Sequence, residues 1–189
     1  MEITFRNLVT IVHGMMFGGF FLMATFGLVV MLWRSMYERQ GPGLTEQGHR
    51  WETAYLVAMV LLGWGAVLSG AYIVYPWYRA ALPAGVVDLS GYPQRLLLSK
   101  PGTAGWHTLG MEWKEHVSWM APMAMTMVAY VLLKYKGAME EHRALRKQVL
   151  VFAMVAFLAA GVAGGFGALI DKAAPVDGGR IIHLMEGAK

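Results

Sequence analysis

The sequence predicts an all-α integral membrane protein, a bundle of four transmembrane helices with a long outer loop between the second and third. Three observations predict it. Four apolar runs, residues 8–33, 53–75, 117–133 and 149–170, occupy most of the chain. Each approaches or exceeds the roughly 20 residues that cross a hydrocarbon core of ~30 Å, the third from the short end of the range. Of 189 residues, 57% are hydrophobic and only 15% charged, with a mean hydropathy of +0.45. That is too little polar surface for a soluble fold, and no linker divides the chain, so residues 1–189 form one membrane domain. Finally, lipid offers no partner to backbone N–H and C=O groups, so each run must satisfy its own as a helix.

The elements follow in order. Residues 1–7 carry Glu2 as well as Arg6, and the apolar run behind them is too long for a signal core, so it is expected to remain as the first span. The connection 34–52 holds Arg34, Arg39 and Arg50, and the connection 134–148 holds Lys134, Lys136, Arg143, Arg146 and Lys147. Both lie on one side, and their basic density assigns that side to the cytoplasm of a bacterial inner membrane, with both termini outside. Outer segments also contain Arg79, Arg95, Lys100, Lys114, Lys172 and Arg180, spread over more residues. The outer loop, residues 76–116, opens with Pro76 after the second span and an aromatic-basic group, Tyr75, Trp77, Tyr78 and Arg79, suited to the headgroup layer. Gly91-Tyr92-Pro93 and Lys100-Pro101-Gly102 are turn signals, and Leu96, Leu97 and Leu98 between them suit a membrane surface.

Composition excludes several functions. The net charge of +4 comes from basic residues beside spans, where topology and lipid headgroups account for them, so nucleic acid is not an expected partner. The absence of cysteine rules out covalent c-type haem, thiolate-held iron–sulfur clusters and thiol catalysis. No nucleophile–base pair can be assigned, and no catalytic residue is expected.

The histidines carry the chemistry. His13 lies about 8 Å inside the first span at 1.5 Å per residue. His116 opens the third span, His107 precedes it, and His183 lies on the outward C-terminal segment. Four of the six histidines therefore collect at the outer ends, while His49 and His142 fall in the basic loops. An ionisable group in a span must be compensated by a partner or a function. His13 and His116, at similar depth on different helices, can supply the axial ligands of a b-type haem, with His107 as reserve. Gly14, Gly18, Gly19, Gly70, Gly164, Gly165 and Gly167 leave room for a flat ring, although small-xxx-small helix contacts explain the same glycines. Arg79, Arg95, Lys100 and Lys114 can meet propionates, Arg79 or Arg95 first among them, or simply snorkel to lipid phosphate. Glu112, four residues before His116, can orient its imidazole. Residues 106–116 alternatively present histidine and carboxylate to a quinol headgroup, or form a plain aromatic belt. The paired Glu and Glu-x-x-His pattern of a di-iron bundle is absent. The 15 methionines, among them Met15, Met16, Met120, Met123 and Met127, permit Cu(I) handling, and equally serve as core filler. Pro122 is expected to kink the third helix.

Across residues 8–170 this arrangement of four spans, level histidines and headgroup-level basic residues resembles the small membrane subunits of b-type cytochrome systems. It departs from their common di-haem plan, because no pair of histidines lies near the inner helix ends. The resemblance implies one haem b near the outer face, possession of neighbours among the membrane subunits of a redox complex, and electron exchange with a peripheral outer carrier. The competing expectation is a cofactor-free accessory subunit that packs against larger redox subunits.

Overall fold

The computed structural model describes residues 2–37, 46–135 and 142–184. Among these residues four helices are long and apolar enough to cross a membrane: α1 (Phe5–Ser35), α2 (Gln47–Tyr78), α3 (Pro101–Lys134) and α4 (Arg143–Ala173). These four apolar helices make the chain an integral membrane protein. Arg39 and Lys136 of the basic connections lie outside the described residues.

Helices consecutive in sequence pack against one another, and α1 closes the ring against α4. At the end remote from the termini, a dry core joins Leu28 and Leu32 of α1, Leu56 and Met59 of α2, Met125 and Val128 of α3, and Ala153 and Ala156 of α4. A smaller cluster of Tyr78, Leu97, Met111, Ile170, Ala174 and Val176 caps the termini end. The two packed layers leave an unfilled region between them.

The third helix begins at Pro101, well before the expected start at residue 117, so the outer loop of 76–116 is mostly helical. The reason is local. Pro101 occupies the first turn, where its missing N–H costs nothing, and the polar residues after it hide the helix from a hydropathy reading without opposing it. Another short helix, Pro93–Leu98, contains the three leucines, and its Leu97 is completely buried against the cap.

Pro122 leaves its mark where proline chemistry requires. It cannot donate to the carbonyl of Ser118, and regular α-helical winding is interrupted by a turn at Ser118 and Trp119 before resuming at Met120. Winding also loosens into π-helical turns at Val12–Gly19, Gly70–Val74, Trp106–Met111 and Trp113–Val117. All of these lie toward the termini end.

The chain ends meet in an element absent from the sequence reading. Strands β1 (Glu2–Thr4) and β2 (Ile181–His183) pair antiparallel, with Ile3 opposite Ile182. The Thr4 hydroxyl donates to the Asp177 carboxylate, which also accepts the Gly178 N–H at 2.8 Å. These two bonds hold the Asp177 carboxyl below its usual range.

Candidate functional site

A cavity of about 760 Å³ fills the space between the two packed layers, and all four long helices line it. Its walls are made by small residues: Gly14 and Gly18 of α1, Gly63, Ala66 and Gly70 of α2, Ala121 of α3, and Ala160, Ala163, Gly164 and Gly167 of α4. Where four facing helices all carry glycine or alanine, backbones at ordinary interaxial distances leave a void that no side chain reaches across. The volume lies within the range of small-molecule and cofactor sites.

Glycine notches on α2 seat three α1 side chains, of which His13 and Phe21 line this space. Atoms added as Cβ would stand 2.7 Å from the Phe21 ring at Gly63, 2.9 Å from Phe17 at Gly65 and 2.7 Å from the His13 ring at Gly70. Positions 13, 17 and 21 form one helical stripe, so the notches fix the rotation of α1 against α2 and with it the place of His13.

Among the described residues His13 has one side-chain hydrogen-bond partner, Ser69. The Ser69 hydroxyl lies 2.6 Å from the Gly65 carbonyl, 3.2 Å from the Ala66 carbonyl and 3.0 Å from His13 Nδ1. With the Ser69 proton directed at the Gly65 carbonyl, Nδ1 donates to Ser69 Oγ and Nε2 keeps its lone pair, on a ring that is part of the cavity wall. This is the arrangement by which histidines are oriented to bind metals.

Charged groups line the same space. Lys114 turns inward from α3 into the notch at Gly167, where an added Cβ would stand 2.9 Å from Nζ, and Nζ makes one long bond of 3.5 Å to the Ala163 carbonyl. Glu115, Asp171, Tyr75 and Tyr78 line the space as well, the two tyrosine hydroxyls being bonded to Arg79 and His107 outside the lining. Met15 and Tyr72 also line the cavity while being 70% and 72% exposed. The cavity thus extends to the lipid-facing surface.

The remaining sequence candidates are distributed differently. His116 does not line the cavity: α3 turns Met111, Lys114, Glu115 and Ser118 inward, which directs His116 outward. Its side chain is 70% exposed, with Nδ1 3.1 Å from the Glu112 carbonyl and 3.4 Å from the Glu112 carboxylate. Glu112 is therefore beside His116 as the spacing implied, but the structure does not bring His116 to His13. His107 stands behind the cavity wall, its Nδ1 2.8 Å from the Tyr78 hydroxyl and its Nε2 3.4 Å from the Gln94 amide. Arg79 is solvent-exposed and donates to the Tyr75 hydroxyl at 2.6 Å, a bond that holds its guanidinium above the ordinary pKa. Arg95 is exposed on the short helix and outside the cavity lining.

Sequence reasoning missed Ser69 and Asp171, and it read Glu115 only as one of the carboxylates of residues 106–116. Charged residues near span ends were the available signal for the two acids, but only the helix rotations show that they face inward. Among the described residues no three histidine or acidic side chains converge as a bare metal site would require. Comparison with protein-family models, with curated proteins and with solved structures gives no match to this chain.

Proposed function

We propose that the chain is a membrane electron-transfer subunit in which His13 would hold one haem b in the four-helix cavity. The observation that carries this reading is His13 itself, among the described residues the one histidine in the cavity lining, whose Nδ1 is 3.0 Å from the Ser69 hydroxyl. A haem brings its own equatorial nitrogens and so asks the protein for one or two imidazoles, matching a cavity with a single inward histidine. The glycine and alanine walls suit a flat apolar ring, and Lys114 offers a cation to a carboxylate edge.

When bound, haem would supply a one-electron couple. Ser69 would orient His13, Gly70 would let its ring lie against α2, and the apolar walls would exclude water from the ring faces. With the basic end cytoplasmic, the site lies toward the outer leaflet, where a peripheral carrier and membrane subunits of a redox complex would exchange electrons with it. A quinol is the second reading, favoured by the lipid-exposed Met15 and Tyr72 at the cavity edge, which give a lipid-soluble molecule a route in from the bilayer.

Purified protein should give a b-type reduced-minus-oxidised spectrum and a pyridine haemochrome. His13→Ala should remove at least nine-tenths of that haem, on the order expected for loss of an axial ligand, and His116→Ala should retain it. Absence of haem from the intact membrane-extracted protein, or full haem retention by His13→Ala, overturns the proposal.

A further inference from the structure

A second cavity, of about 510 Å³, lies at the opposite end of the bundle between the end of α1 and the start of α4. Its floor is apolar, formed by Leu150, Val151 and Met154. Its rim pairs Trp33 with Tyr37, ring centroids 5.3 Å apart, the residue types that settle at a headgroup layer. The charged residues that line it among the described residues are Arg143 and Lys147, both positive and one helical turn apart.

The positive charge there has no local compensation in α4. That helix has no acidic residue in its first turn, and the helix dipole adds to the same sign. Next to the groove, Arg146 ties the two helices by donating to the Ser35 carbonyl at 3.2 Å, while its Nε is buried without a partner. Two cations above an apolar trough, edged by indole and phenol, are complementary to an amphiphile with an anionic head. Free phosphate would engage the cations but leave the trough unfilled, and a zwitterionic lipid would set its own cation against Arg143 and Lys147.

We infer that this groove is a binding site for one anionic phospholipid, its phosphate held by Arg143 and Lys147, its glycerol edge beside Trp33 and Tyr37, and an acyl chain along Val151 and Met154. The site is independent of the cavity that contains His13 and does not rest on its occupant.

The test uses the full chain purified in neutral detergent, with its melting midpoint followed while phosphatidylglycerol or phosphatidylcholine is titrated in. Phosphatidylglycerol should raise the midpoint saturably and phosphatidylcholine should not. Replacing both cations in R143Q/K147Q should weaken the apparent affinity for phosphatidylglycerol about thirtyfold, from the usual contribution of each basic residue near an anionic lipid. Lys172→Gln, at the other end of the bundle, should leave it unchanged. Equal responses to the two lipids, an unaltered response in the double variant, or an equal rise with inorganic phosphate each overturn the inference. Should the double variant not fold, a photoactivatable phosphatidylglycerol on the wild-type chain decides: label in residues 33–37 and 143–154 supports the site, and label spread evenly over the spans removes it.

Discussion

At the residue scale, His13 shows how a single side chain acquires a role from its neighbours. Its position inside a span marks it in the sequence, but the bond from Nδ1 to Ser69 comes from a residue 56 positions away. Thr25 shows the opposite case. It is completely buried in the dry core, and its hydroxyl has no hydrogen-bond partner. An unpaired buried hydroxyl costs about 1–3 kcal/mol, and valine has nearly the same shape without it. Thr25→Val should therefore leave the melting midpoint unchanged or raise it. A fall of several degrees would mean that the hydroxyl has a partner the packing does not reveal. His116 illustrates what depth along a helix omits: Lys114 and Glu115 are within two residues of it, yet those face the cavity and His116 does not. Depth follows from counting residues, whereas azimuth depends on how α3 is wound, and two π-helical stretches alter that winding just where the count matters.

At the element scale, the α1–α2 pair is a set of side chains set into glycine notches, and substitutions should read out that geometry. An alanine at Gly63 would place its Cβ 2.7 Å from the ring of Phe21, which is only 2% exposed and cannot swing away. Gly63→Ala should cost about 1–3 kcal/mol as overpacking, seen as a lowered melting midpoint. Gly161, in the interior of α4, has nothing within 4 Å of an added Cβ. Gly161→Ala should be neutral or stabilising by up to about 1 kcal/mol, because alanine favours the helix. If the two variants melted alike, the notches would not be the contacts that set helix rotation. The small-residue pattern was visible in the sequence as either a pocket or helix contact. The structure has both: Gly63 and Gly70 admit α1 side chains and also line the cavity. The extra turns of α3 before residue 117 were not visible as helix, since Trp106–His107–Thr108 and Glu112–Trp113–Lys114 mix polar and aromatic residues that read as an interface loop.

At the scale of the whole molecule, the two chain ends are fastened together beside the cavity end of the bundle. Strand pairing is supported by the Phe5 N–H to Arg180 carbonyl bond at 2.9 Å and the Arg6 N–H to Gly178 carbonyl bond at 3.1 Å. Asp177 belongs to this clasp, and its carboxyl lies below the ordinary value of 3.8. A carboxyl depressed by folding contributes stability above its unfolded pKa and loses it as pH falls through the depressed value. Amide-exchange protection of Phe5 and Arg6 should therefore hold at neutral pH and decline in acid, below about pH 4. Asp177→Asn should flatten that acid dependence, and an unchanged profile in this variant would remove Asp177 from the clasp.

By itself the sequence determined the helical class, the number of spans and the end to which each candidate residue belongs. These follow from local chemistry, since lipid forces an apolar run to satisfy its backbone internally and an even number of spans returns the chain to the side it started from. Tertiary structure alone decided which residues face one another: the union of His13 with Ser69, the inward turn of Lys114, Glu115 and Asp171, the outward turn of His116, and the groove shared by Trp33 and Arg143. Those relations depend on helix rotation, which is set by side-chain volumes meeting glycine notches on another helix. No stretch of sequence read alone contains both halves of such a contact.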